Sequence, residues 1–420
     1  MTSRPPQGPG ELYVWVWLPG ATEPVVAGRL AQQGGNYRFN YGQSFLQRQQ
    51  KQSNPFSLYE PELPLKRGLL QPLRGLDMAG CLRDGSPDAW GRRVIIHRLV
   101  NKADRRNTEL DELVYMLESG SDRIGALDFQ ASPTQYQPRQ AENAALHELL
   151  EASDRVDRGE PLPPELARAI QHGSSIGGAR PKALIEDRGI KYVAKFSSSS
   201  DTYNVVKGEF IAMRLASLAG LHVAQVRMAH SMGKDVLLVE RFDRSLAPDG
   251  GWTRRLMVSA LTMLGLNEMM ARYASYEDLA AVVRKRFINP SDTNRELFSR
   301  LIFNVLTGNT DDHARNHAAF WDGKRLTLSP AYDICPQGRT GNVASQGMII
   351  AGRENASTLL ACVRAAGSFG VSEAEALEEM DRQEAVIREH WTAVCDEAGL
   401  SKTDRAFFWN RQFLNPSIKE

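Results

Sequence analysis

Asn309-Thr310-Asp311-Asp312-His313-Ala314-Arg315-Asn316, followed after a short interval by Ser329-Pro330-Ala331-Tyr332-Asp333, is the stretch on which the fold reading turns. The interval carries a hairpin signature: His317–Trp321 and Arg325–Leu328 flank Asp322-Gly323, a dipeptide that favours the tight turn between paired strands. Read together, the run gives an aspartate, an asparagine five residues later, a hairpin and a second aspartate.

That order suits phosphoryl transfer. The reaction asks little covalent help of a protein; it needs a hydroxyl aimed at a γ-phosphate and cations that neutralise developing charge. Protein kinases supply these with an Asp, an Asn five residues on, a hairpin and a second Asp. Asp311 would then orient the acceptor hydroxyl and take its proton, while Asn316 and Asp333 would hold Mg²⁺ through hard oxygen ligands. Two other readings stand beside this one. Asp-rich loops before strands often serve only as turns and caps, and Asp311, Asp312, His313 and His317 are each possible ligands of a metal-dependent phosphohydrolase.

Working upstream, Val193-Ala194-Lys195-Phe196 puts a lysine late in an apolar strand. ATP phosphates and a helix carboxylate, for which Glu209 is the natural candidate, would partner that charge; a strand-end lysine reaching solvent is the alternative. Gly173-Ser174-Ser175-Ile176-Gly177-Gly178-Ala179-Arg180-Pro181-Lys182 reads as a phosphate loop, because glycines let backbone N–H groups approach an anion. It matches neither common nucleotide-loop pattern.

The remaining chain organises around these pieces. Leu12, Val14, Val16 and Leu18 alternate along one strand, Val25–Leu30 resumes it after a Pro-Gly turn, and Tyr37–Tyr41 adds a third. Asp77–Val100 turns helical, with Pro87 near its start. Strands are expected at Ala183–Glu186, Ile190–Phe196 and Asp235–Glu240, and helices near Ala144–Ala152 and at Leu166–Gln171, Asn204–Ala219, Tyr276–Arg286, Asn294–Leu306 and Glu373–Ala393. The predicted domains are 10–132, a β-rich subdomain; 133–244, a mixed ATP-binding lobe; and 245–420, a helical C-terminal lobe. The expected class is α+β, a kinase-like two-lobed fold with an added N-terminal subdomain.

Composition sets few further bounds. The 420 residues are 42% hydrophobic and 24% charged with a net charge of +1, which predicts neither nucleic-acid nor membrane attachment. Four dispersed cysteines, Cys81, Cys335, Cys362 and Cys395, argue against a disulfide framework or cysteine zinc site. No signal-peptide pattern and no apolar run of about 18 residues occurs. The expected location is cytoplasmic.

With these residues assembled, the chain resembles the HipA family of bacterial toxin kinases. The resemblance runs through Leu12–Leu18, Gly28-Arg29-Leu30, Phe39-Asn40-Tyr41, Pro87–Arg93, Ser175–Lys182, the Lys195 strand, Glu240-Arg241-Phe242-Asp243-Arg244, Thr310–Asn316 and Ser329–Asp333. It implies an ATP- and Mg²⁺-dependent serine/threonine kinase whose loop serine, Ser175 or its neighbour Ser174, is autophosphorylated. It also implies a hinge at Glu240–Phe242 that meets adenine, and ATP contacts from Ser175, Ile176, Gly177 and Gly178. Implied partners are a protein substrate, an aminoacyl-tRNA synthetase in known cases, and a HipB-like helix-turn-helix antitoxin through which any DNA contact would pass. Asp312 departs from the pattern, since a small residue is common there. Two rival functions keep the fold: a kinase-like binding module acting through an antitoxin or regulator, and a small-molecule kinase.

Overall fold

A computed structural model describes residues 8–100, 108–139, 145–171, 180–198, 201–339 and 343–419. The class is α+β as the sequence predicts, with sheets in the N-terminal part and helices dominating the C-terminal part.

The first sheet is antiparallel, in the order Asn36–Tyr41, Val25–Gln33, Glu11–Val16, Leu127–Gln130. Leu12, Val14 and Val16 are fully buried, so the alternation read from the sequence is the core face of a strand. Leu18 lies beyond the strand end, and the register shifts between Val14 and Trp15. Gly28 is required by close approach: a Cβ there would sit 2.2 Å from the Asn40 carbonyl oxygen of the neighbouring strand. The pairing of Leu127–Gln130 was not read from the sequence; four residues are too few to show a period.

The second sheet runs Lys182–Asp187, Ile190–Phe196, Lys234–Glu240, Val226–Ser231. Arg188 and Gly189 both have positive φ, 51° and 74°, in the tight turn expected at Asp187-Arg188-Gly189. One face packs Ala183, Tyr192, Ala194, Phe196, Val236 and Leu238 against Leu149 and Leu150 of the helix Leu146–Asp157. Val226–Ser231 is a strand that sequence reading missed, because none of its residues is fully buried and no alternation marks it.

The stretch Asp77–Val100, expected to turn helical, carries two helices, Gly80–Arg83 and Ala89–Leu99. Pro87 cannot donate a helical hydrogen bond and disfavours helical backbone at Ser86, so the second helix starts after it.

The chain divides into two compact units. One comprises Met1–Ser200, Ala229–Val258 and Trp321–Lys324; the other comprises Asp201–Met228, Ser259–Phe320 and Arg325–Glu420. In the second unit, helix starts follow capping rules. Asn204 accepts from Lys207 N at the head of Val205–Leu218, Ser275 caps Tyr276–Arg286, and Ser372 with Glu375 forms a capping box on Glu373–Glu397. Pro290 opens the helix Pro290–Leu306 that leads into the site. Among the described residues no helix is long and apolar enough to cross a membrane.

Candidate active site

The loop after Pro290–Leu306 is held at nearly every step by hydrogen bonds within the second unit. Gly308, at φ 65°, turns the chain out of the helix against Gln412. Asn309 then bonds back to Asn304 through both its main-chain N–H (2.8 Å) and its side-chain amide (3.1 Å). The Thr310 carbonyl accepts from Gly347 N, the Ala314 carbonyl from Leu261 N and the His317 carbonyl from Ala260 N (2.7 Å). The Asn316 amide donates to the Asp311 carbonyl at 3.2 Å, and the Tyr332 hydroxyl donates to the Arg315 carbonyl at 2.7 Å.

This fixes the five-residue spacing as geometry. With its amide nitrogen spent on Asp311, Asn316 keeps its side-chain oxygen as the ligand-capable atom. Asp311 is exposed. Partial desolvation within the loop raises its carboxyl above the ordinary aspartate value; the charges of Asp333 and Asp312 add to the rise and His313 opposes it. Asp333 is thus close enough for its charge to be felt at Asp311. The Asp333 backbone is left-handed, φ 60°, and its segment is anchored by paired bonds between Ala331 and the His222–Ala224 stretch. A non-glycine residue held at positive φ marks a locally over-determined backbone.

Asp312 has a different task. Its carboxylate accepts from the Tyr276 hydroxyl and pairs with His317 Nε2 at 2.9 Å, and none of the three residues is more than 3% exposed. Burial, which alone would raise its carboxyl, is outweighed by His317 and Tyr276, so Asp312 sits below the ordinary value. The carboxylate and imidazole that a phosphohydrolase would need are engaged with each other, and no group of three His, Cys, Asp or Glu side chains placed to hold a metal occurs among the described residues. The Asn316 side-chain oxygen and the Asp333 carboxylate are hard oxygen groups of the type that magnesium takes alongside phosphate oxygens.

In the first unit Lys195 is part-buried on the sheet face opposite Ala194 and Phe196. The register places Lys182 directly across from it, and Lys182 is itself buried. Two lysines thus face each other across the strand pair. This pairing lay hidden in the sequence until the register was known. Glu240 ends the strand Lys234–Glu240 opposite Tyr192, the following Arg241 N–H bonds to the Lys191 carbonyl, and Phe242 is half-buried. Glu209 is buried on the helix Val205–Leu218 of the second unit. Ser174, Ser175, Ile176, Gly177 and Gly178 lie outside the described residues.

Three of the four charged members of Glu240–Arg244 turn inward. Arg241, Asp243 and Arg244 are buried and bond to Asp122, Arg123 and Gly125. The resemblance implies a hinge at Glu240–Phe242; no local signal points to the partners over a hundred residues away.

Comparison with known proteins gives a consistent picture. Residues 174–391 match the family model of the HipA-like C-terminal domain, and residues 16–130 match that of the HipA N-terminal domain. The serine/threonine-protein kinase toxin HipA of Shewanella oneidensis is 28% identical over 185 residues, 38% of this chain and 42% of that protein. The putative kinase Y4mE of Sinorhizobium fredii is 29% identical over 147 residues, 34% of this chain and 33% of that one. The matched stretches thus span less than half the length of either curated relative. Among solved structures, a chain of the Shewanella oneidensis complex of HipA, HipB and operator DNA aligns with a TM-score of 0.69 at 19% identity, covering 97% of this chain and 99% of its own; at that identity the likeness speaks for the fold.

Proposed function

This chain belongs to the HipA family, and from that premise we propose that it is an ATP- and Mg²⁺-dependent protein serine/threonine kinase. The observation that supports this most is the catalytic-type loop: Asp311 exposed, Asn316 locked onto its carbonyl, and Asp333 near enough to perturb it. In this reading the acceptor hydroxyl oxygen bonds to the γ-phosphorus as the bond from that phosphorus to the β,γ-bridging oxygen breaks; Asp311 takes the hydroxyl proton and ADP departs. Asp311's raised basicity suits that role. Asn316 and Asp333 would hold Mg²⁺, which neutralises charge on the phosphates. Lys195, supported by Glu209 and faced by Lys182, would bind the phosphate chain. The Glu240–Phe242 backbone would meet adenine, with the Phe242 side chain packed beside it.

The family and its relatives further suggest a toxin that pairs with a HipB-like antitoxin and reaches DNA only through it. Its substrate would be a translation-related protein such as an aminoacyl-tRNA synthetase. Ser175, with Ser174 as the alternative, would be autophosphorylated, and Ser175, Ile176, Gly177 and Gly178 would contact ATP. Charge added to a phosphate loop would repel the nucleotide and switch the enzyme off. A cytoplasmic location follows from such a substrate.

Incubation with radiolabelled ATP and Mg²⁺ tests the reading. Wild-type protein should incorporate phosphate, and phosphosite mass spectrometry should find it on Ser175 or Ser174. Asp311→Asn should retain nucleotide binding and lose transfer by about 10²–10⁴-fold; near-normal incorporation in that variant would remove Asp311 from its role.

A further inference from the structure

The proposed chemistry makes no use of the Arg241, Asp243 or Arg244 side chains, yet these are among the most enclosed charges of the described residues. Asp122 accepts from Arg241 Nη1 at 3.0 Å, from Arg244 Nε at 3.1 Å and Nη2 at 2.9 Å, and from Lys191 Nζ at 3.1 Å. Asp243 takes a two-pronged grip from Arg241 (Nε 3.0 Å, Nη2 2.8 Å), a further bond from Arg244 Nη1 at 2.9 Å and one from Gly125 N at 2.7 Å. The same guanidinium groups also donate to the carbonyls of Asp122, Arg123 and Gly125. Behind them Arg123 closes on Asp128 at 2.9 Å and on the Gly85 carbonyl, and Arg254 donates to the Ser121 carbonyl.

Every member lies in the first unit, and the donors and acceptors come from segments about 120 residues apart. A network of this kind is a poor source of net stability, since the desolvation of each ion offsets its attraction, and apolar packing would serve a core at least as well. What it does provide is one permitted geometry, because each guanidinium is satisfied in only one orientation. The backbone it fixes is the turn at Phe242, flanked by Arg241 on one side and Asp243 on the other.

We propose that the Ser121–Asp128 segment of the N-terminal domain is the positioning element of the nucleotide hinge, acting through Asp122 on Arg241 and Arg244. This rests on the reading of Glu240–Phe242 as the adenine contact. It assigns the N-terminal domain a part in ATP affinity, although Asp122 itself touches no reacting atom.

The test uses the full chain and two variants side by side. Asp122→Asn keeps the shape and removes the charge that orients both arginines. MgATP affinity by calorimetry should fall about tenfold, equivalent to ~1.4 kcal/mol, and KM for ATP should rise in step. Phosphate incorporation at saturating ATP should stay within about twofold. Phe242→Ala reports on the hinge itself. If Phe242→Ala leaves ATP affinity unchanged, the hinge reading fails. If Phe242→Ala weakens ATP and Asp122→Asn only lowers the melting temperature, the hinge stands and the positioning role is overturned. Should Asp122→Asn not fold, Lys191→Gln removes one edge donor from Asp122; hydrogen exchange should then quicken at the 240–243 amides and ATP should bind about two- to threefold more weakly, while unchanged exchange and affinity would overturn the proposal.

Discussion

Asp122 and Asp312 are both buried carboxylates held below the ordinary aspartate value, and they are built in opposite ways. Asp122 gathers three cationic side chains from segments far along the chain. Asp312 gathers a phenol and an imidazole, the latter only five residues on. The first arrangement ties distant pieces of backbone together; the second shapes one short loop from within. The sequence shows the second kind more readily than the first, because a five-residue spacing is visible and a 120-residue one is not.

The largest expected difference between them is in stability. Asp122→Ala leaves the two buried guanidinium groups of Arg241 and Arg244 to share the one carboxylate of Asp243, and breaking a buried ionic network of this sort costs about 3–5 kcal/mol. Asp312→Ala leaves a hydroxyl and an imidazole without their acceptor, about 1–3 kcal/mol. Urea denaturation of both variants measures the two losses; equal losses would erase the distinction between the networks.

Acidity sharpens the contrast within the loop itself. Asp312 has a lowered carboxyl, so the unfolded chain binds its proton more readily than the folded one. Its contribution is present above the unfolded aspartate value, about 3.9, and is lost as pH falls through its folded value. Asp311 has a raised carboxyl and the opposite sign: its contribution is complete below the unfolded value and is lost as pH rises through the folded one. Asp311→Asn should therefore be more stable than wild type at pH 7, with the advantage vanishing in acid. Asp312→Asn should be less stable at pH 7 and show a shallower acid limb. Melting temperatures from pH 3 to 8 decide it; a neutral-pH loss of stability in Asp311→Asn would contradict the origin given for its shift.

Local signals carried much of the fold and of the site. The Asp311–Asn316 spacing, the hairpin beyond it and the strand that holds Lys195 are all matters of period and turn chemistry within a dozen residues, and they are where the sequence put them. What stayed hidden depends on pairing. Lys182 faces Lys195 only because the Asp187–Gly189 turn sets that register. Leu127–Gln130 completes a sheet begun more than a hundred residues earlier. Asp312 looked like a spare metal ligand because nothing nearby in sequence announced Tyr276. The resemblance put Arg241 in a hinge at Glu240–Phe242, and nothing in the local sequence announces that Arg241 and Arg244 close on Asp122 and Asp243.

The smallest effect belongs to the surface of the same loop. Arg315, between the buried Ala314 and Asn316, reaches out to Glu268 with its Nε 2.8 Å from the carboxylate, and Glu268 is well exposed. Exposed pairs gain little over hydration and are screened by salt. The loop backbone here is already fixed by Tyr332, Leu261 and Ala260. Glu268→Ala should thus change stability by about 0–1 kcal/mol, with that small difference shrinking further at 1 M salt, and should leave phosphate incorporation within about twofold. A loss comparable to that of Asp312→Ala would mean that the loop is held from outside as well as from within, and the contrast between its buried and exposed carboxylates would have to be redrawn.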